Sequence, residues 1–186
     1  PLLNIPEPGR QIRALIGSAA VADAVTRAVS GEYLRDPSLG SDEYGGNVLL
    51  VRDIVVRYID RCILPYDAAH PGFRIEGLEQ SVTAPVSFCW GSETHTVTFA
   101  GTSDRLDRLT DGRVRVVDYK TGNKAFNLDE VYCGLNTQML LYLFTLEKEG
   151  QSCFGYPIVP AGVLYHPARD LILKTERDIS PEPLRK

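Results

Sequence analysis

The chain has 186 residues, 44% of them hydrophobic and 24% charged, the composition of an ordinary folded protein and not of a disordered one. No apolar run reaches the roughly 18 residues that cross a bilayer, and the opening PLLNIPEPGR has neither a basic nor an apolar signal region, so no membrane contact and a cytoplasmic location are expected. The formal net charge of −4 argues against capture of nucleic acid by bulk charge; a DNA contact would need a local patch or a partner that supplies the positive field.

The N-terminal third predicts helix. Residues 11–33 carry apolar positions at helical spacing, broken at Gly17, and residues 34–46 form a polar loop rich in Gly, Pro and Ser. A second helix is expected over 47–64, with Leu50, Ile54, Val55, Tyr58 and Cys62 on its apolar face and Pro65 as its stop. The period then changes to two. Strands are expected over 73–88, 95–106 and 113–120, and a late pair over 161–167 and 171–177. Between the sheet segments a long helix is expected from Leu128 to Gly150, with Asn127 and Glu130 forming a capping box and Val131, Leu135, Met139, Tyr142 and Leu146 on one face. Helices, strands, one long helix and strands again make an α/β domain with a mixed sheet. The helical part covers 1–66 and the sheet-containing core 73–186 of a single domain. The chain opens on Pro1 without an initiator Met and is expected to be cut from a longer one.

Cys62, Cys89, Cys133 and Cys153 form no CxxC pair, which fits a reducing compartment and disfavours a thiolate metal cluster. The glycine fingerprints of nucleotide-binding loops are absent.

The chemistry concentrates between Gly101 and Gly122, in GTSDRLDRLTDGRVRVVDYKTG. Strands disfavour Asp and Lys, yet Asp104 stands near the end of one strand and Asp118 and Lys120 at the end of the next. A three-residue loop, Thr110-Asp111-Gly112, with Gly112 left-handed would set residue 109 opposite 113 and Asp104 opposite Asp118. Directly opposed carboxylates repel, and a divalent cation between them relieves the repulsion. Asp118 and Lys120 share a face, so the lysine reaches the same point and can stabilise charge on a phosphoryl oxygen. The competing reading is an ion-paired surface hairpin, in which Arg105 and Arg108 neutralise Asp104 and Asp107. What favours a site is the next helix, where QMLLY puts the polar pair Gln138 and Tyr142 one turn apart on one face.

GTSDRLD, VVDYKTG and QMLLY stand in the order and spacing of the PD-(D/E)XK nuclease superfamily, and the chain most resembles its RecB-like branch, as in the nuclease domains of AddB/RecB helicase–nucleases. PIVPAGVLYHP is similar to the strand that follows the Q-x-x-x-Y helix there. The resemblance implies a restriction-endonuclease-like core, a mixed β-sheet flanked by helices, with an N-terminal helical segment. It implies a Mg²⁺- or Mn²⁺-dependent deoxyribonuclease, the exonuclease domain of a recombination or repair helicase–nuclease. Asp104, Asp118 and Lys120 match the catalytic positions. Asp104, Asp118 and the backbone carbonyl of Tyr119 would hold metal, and Gln138 and Tyr142 would meet the DNA strand. The implied partners are DNA and a helicase module or partner subunit.

Two features depart from the branch. Its early helix usually bears a metal-ligating His or acid, whereas His70, His95 and His166 all lie elsewhere. That helix is expected to precede Pro1, so the 186 residues alone should be weakly active or inactive. Glu79 is either a substitute acid or a solvated strand carboxylate. The four-cysteine iron–sulfur staple of some relatives is missing, so no cluster is expected. The alternative function is a non-catalytic DNA-binding or scaffold module that keeps the fold.

Overall fold

A computed structural model describes residues 8–120 and 127–167. They fall into two compact units that divide between Pro71 and Gly72.

The first unit is helical: α1 (Pro8–Leu15), α2 (Ala19–Ala28), α3 (Gly46–Tyr58) and α4 (Leu64–Ala69). Gly17, at φ +70°, makes the break expected between α1 and α2. α2 runs into a π-helical turn, Val29–Tyr33, and Ser30 there donates to the Leu39 carbonyl (2.8 Å), pinning the following loop.

Pro65 does not stop the second helix. α3 passes through a π-helical turn at Ile59–Ile63, where the Leu64 N–H reaches back to the Ile59 carbonyl, and Pro65 then sits in the first turn of α4. A backbone N–H donor is not needed in a first turn, so proline, which lacks one, is accommodated there. Of the apolar set read along this segment, Cys62 is buried, while Leu50, Ile54 and Val55 face solvent.

The second unit is a four-stranded sheet in the order β1 (Phe73–Trp90), β2 (Glu93–Leu109), β3 (Val114–Lys120) and β4 (Pro160–Pro167). The first two pairings are antiparallel and β3 pairs with β4 in parallel, so the sheet is mixed, as expected. Residues 171–177, expected as a further strand, lie outside the described residues.

Two helices occupy the connection from β3 to β4 where one was expected. α5 (Leu128–Tyr132) and α6 (Gln138–Phe154) are separated by a turn with Gly134 at φ +79° and Asn136 at φ +53°. The capping box is half formed. Asn127 accepts from the Asp129 N–H (2.8 Å), but Glu130 accepts from the Asn136 side chain and so holds the turn. Leu135 is consequently exposed, and only Met139, Tyr142 and Leu146 of the expected stripe enter the core. α6 runs past Gly150 and ends at Gly155, φ +77°.

α6 covers one face of the sheet. Met139, Tyr142 and Leu146 pack with Val82, Leu106, Val114, Val116 and Ile158. A Cβ on Gly101 would meet Tyr142 Cε1 at 2.5 Å, so this position of β2 must be bare for the ring to lie on the sheet. Gly101→Ala should cost about 1–3 kcal/mol, the usual penalty of overpacking a filled core. A thermal melt of the variant checks this; an unchanged midpoint would contradict the close packing.

Candidate active site at the β2–β3 hairpin

The hairpin loop takes the conformation that its Asp-Gly predicts. Gly112 is left-handed (φ +84°), its N–H donates to Leu109 O (2.9 Å), and the Leu109 N–H donates to Arg113 O (2.8 Å). The ladder pairs Arg108 with Val114, Asp107 with Arg115, Leu106 with Val116 and Arg105 with Val117. One step further this register brings Asp104 to Asp118.

There the ladder ends. In place of a main-chain acceptor, the Asp104 carboxylate takes the strand's next donor, the Tyr119 N–H, at 2.9 Å. The distortion extends to the other side of β2. The β1–β2 ladder pairs Leu78 with Arg105 and Gln80 with Ser103 and passes over Glu79 and Asp104. Glu79 has φ +48°, a left-handed backbone that non-glycine residues rarely adopt. Gly101 and Leu106 both face α6 although they are an odd step apart, which an undistorted pleat would not allow. The sheet therefore turns over at Asp104, and the carboxylate is released from pleat geometry.

Asp118 is buried, and Lys120 Nζ lies 2.7 Å from its Oδ2. The contact is a short ion pair, and a carboxylate oxygen met by one donor keeps acceptor capacity for a second. Each acid thus has its own donor: the Tyr119 amide holds Asp104 and the Lys120 ammonium balances Asp118. The repulsion expected between two bare carboxylates is met by the protein itself.

Tyr165 adds a group that sequence reasoning missed. The parallel ladder sets it beside Asp118, half-buried on the same face. Its register depends on a long crossover, and period two alone could not reveal it. Burial drives the Tyr165 phenol above the usual tyrosine range, and the Asp118 charge adds to this. For Lys120, partial burial pulls the ammonium down. Its hydrogen-bonding and Coulombic interaction with Asp118, helped by Asp104 and Tyr165, outweighs that, and the net shift is upward.

The sign for stability follows. A lysine whose folded pKa is raised contributes stability fully present below its unfolded value, about pH 10.4, and loses it as pH rises through the folded value. The stability difference between wild type and Lys120→Met should be flat through neutral pH and shrink in that alkaline window. Melts at a series of pH values check this; a change centred near neutrality would contradict the pairing.

Gln138 and Tyr142 are brought together: Gln138 Nε2 donates to the Tyr142 hydroxyl at 2.8 Å. Tyr142 is buried against Gly101 and Phe99, whereas Gln138 is exposed. The tyrosine therefore fixes the helix to the sheet, and the glutamine is the member that can reach a ligand. Glu79 lies on the strand beside Asp104 but is exposed. Among the described residues no group of three or more His, Cys, Asp and Glu side chains is placed to hold a metal, so Glu79 is not joined to the two aspartates as a third ligand.

The competing hairpin reading holds in part: Arg105 neutralises Asp107, but neither Arg105 nor Arg108 is paired with Asp104. Arg108 donates to Glu76 (3.1 Å) and lies over the Tyr156 ring, and Arg105 is bound to Asp107 on the face opposite α6.

The donor set suits a hard divalent cation. Asp104, Asp118 and the Tyr119 carbonyl are all oxygen ligands, and one oxygen of Asp118 is buried with acceptor capacity to spare.

A family model described as the PD-(D/E)XK nuclease superfamily matches residues 6–185. The ATP-dependent helicase/deoxyribonuclease of Clostridium tetani has a subunit that is 38% identical over 89 residues, 46% of this chain and 8% of that protein. The like-named proteins of Thermoanaerobacter sp. and Clostridium acetobutylicum are 37% and 36% identical over 93 and 99 residues. They are matched over 48% and 52% of this chain. The chain thus aligns with about 8% of the length of these curated relatives.

Proposed function

The chain belongs to the PD-(D/E)XK nuclease superfamily, and from that membership and the site's geometry we propose that it is a divalent-metal-dependent deoxyribonuclease. We assign it to the exonuclease part of a recombination or repair helicase–nuclease. The observation that carries this reading is the meeting of Asp104, Asp118 and Lys120 where the β2–β3 ladder stops.

Asp104, Asp118 and the Tyr119 carbonyl would hold Mg²⁺ or Mn²⁺. When bound, the ion would supply Lewis-acid polarisation of the scissile phosphodiester and lower the pKa of the attacking water. The chain's own residues do the rest. The Tyr119 amide keeps Asp104 turned into the site. Lys120, held as the ammonium, presents positive charge to the non-bridging phosphoryl oxygens as the phosphorus becomes five-coordinate. Gln138, fixed by Tyr142 one turn along α6, offers an amide to the incoming strand. DNA is the substrate, and a helicase module or partner subunit would feed it, as the names of the relatives suggest. The charge of −4 makes such a partner useful for DNA capture.

A second reading is a DNA-binding or scaffold module without activity. The ion pair between Lys120 and Asp118 favours it, because the ammonium already balances the charge of a carboxylate that a metal would use. Incubation of single- and double-stranded DNA with Mg²⁺, Mn²⁺ or EDTA separates the two. Cleavage that EDTA abolishes is expected of the nuclease. Binding without cleavage in every metal would establish the scaffold.

A further inference from the structure

The sheet face opposite α6 carries a buried charged cluster that the proposed chemistry does not use. Asp107 is fully buried, and Arg105 grips it with both arms of its guanidinium, Nε to Oδ1 at 2.6 Å and Nη2 to Oδ2 at 3.1 Å. Arg115, the cross-strand partner of Asp107, adds a third donor at 2.6 Å. The remaining arm of Arg105, Nη1, reaches the Tyr119 hydroxyl at 3.2 Å. Below lies the Phe73 ring, 4.8 Å from the Arg105 guanidinium carbon, and the Tyr119 ring stacks on His166 at 5.7 Å.

Folding alone gives little reason for this cluster. Buried ion pairs are often replaceable by apolar side chains of similar volume without loss of stability. What the cluster does determine is where Tyr119 sits. That residue is anchored at its hydroxyl by Arg105, and its main-chain N–H holds Asp104 across the hairpin.

We propose that Arg105 and Asp107 are positioning residues, a latch on the back of the sheet that fixes Tyr119 and through it both Asp104 and the Tyr119 carbonyl. The inference rests on the metal site proposed above. Partners behind metal ligands typically govern affinity by about 10–100-fold. Sequence reasoning could have found the pair, since residues 105 and 107 share a face by period two and the hairpin register brings 115 to 107.

Two variants of the 186-residue chain test it. Tyr119→Phe keeps the ring and removes only the hydroxyl that Arg105 holds. The double variant Arg105→Met/Asp107→Leu removes the latch while leaving no buried charge of the pair behind. Amide hydrogen exchange at residue 119 reads the latch without metal, and Mn²⁺ titration reads it with metal. Both variants should lose about tenfold in protection at residue 119 and about tenfold in Mn²⁺ affinity, while protection at Val116 and Val117 stays as in wild type. Unchanged protection at residue 119 in both variants would overturn the latch. Should wild type itself take up no Mn²⁺, the nuclease reading fails, and the exchange result alone decides the latch.

Discussion

Lys120→Ala should lower the rate of DNA cleavage about 10²–10³-fold at saturating Mn²⁺, the usual cost of removing one preorganised group that stabilises developing charge. The ammonium stands 2.7 Å from Asp118 and is mostly shielded from water, so its charge is oriented before substrate arrives. Its interaction with the phosphoryl oxygens grows as negative charge accumulates on them. The loss should therefore appear in kcat, with KM little changed. Lys120→Arg should not restore the rate, because a planar fork cannot take the place of a compact ammonium in this geometry. Single-turnover cleavage by the three proteins gives the comparison. An equal rate in wild type and Lys120→Ala would remove the lysine from the mechanism.

The largest effect on stability is expected from Arg105→Met. It strips two of three donors from a fully buried carboxylate, whose side chain is 0% exposed. Breaking a buried pair by removing one partner costs about 3–5 kcal/mol. Arg115 still holds Asp107, which places the expected loss near the lower figure. For a domain of about 100 residues each kcal/mol moves the melting midpoint by roughly 4–8 °C, so the shift is easily read. The double variant Arg105→Met/Asp107→Leu should regain part of the loss, since it removes the stranded carboxylate but leaves Arg115 without its partner. Chemical denaturation of both variants checks the pair of outcomes. A double variant no more stable than Arg105→Met would show that the cluster supports the fold and is not simply an exchangeable ion pair.

The hairpin was the most legible part of the sequence. Asp111-Gly112 specified the loop, period two specified the strands, and together they set the register that runs to Arg105 and Val117, one step short of Asp104 and Asp118. Local chemistry determined these features, so local reasoning found them. The distortion around Asp104 was not legible. Nothing in GLEQ or TSDR marks the position where two strands fail to pair, because the cause lies in which face α6 covers and in the Tyr119 amide across the hairpin. The split of α5 from α6 was hidden for a related reason. The apolar stripe runs through Leu135 without a break, while the backbone turns there through left-handed Gly134 and Asn136. Pro65 misled because a proline reads as a stop, whereas a π-helical turn before it leaves room for a fresh helix start. Tyr165 was out of reach because its neighbours are set by a parallel crossover.

The central claim is that Asp104 and Asp118 together form a metal site. Titration of Mn²⁺ into wild type, Asp104→Asn and Asp118→Asn tests it most directly, because binding is read without substrate or turnover. Saturable binding by wild type that weakens at least tenfold in each variant is the predicted result. Equal binding by all three proteins, or no saturable binding by wild type, would contradict it.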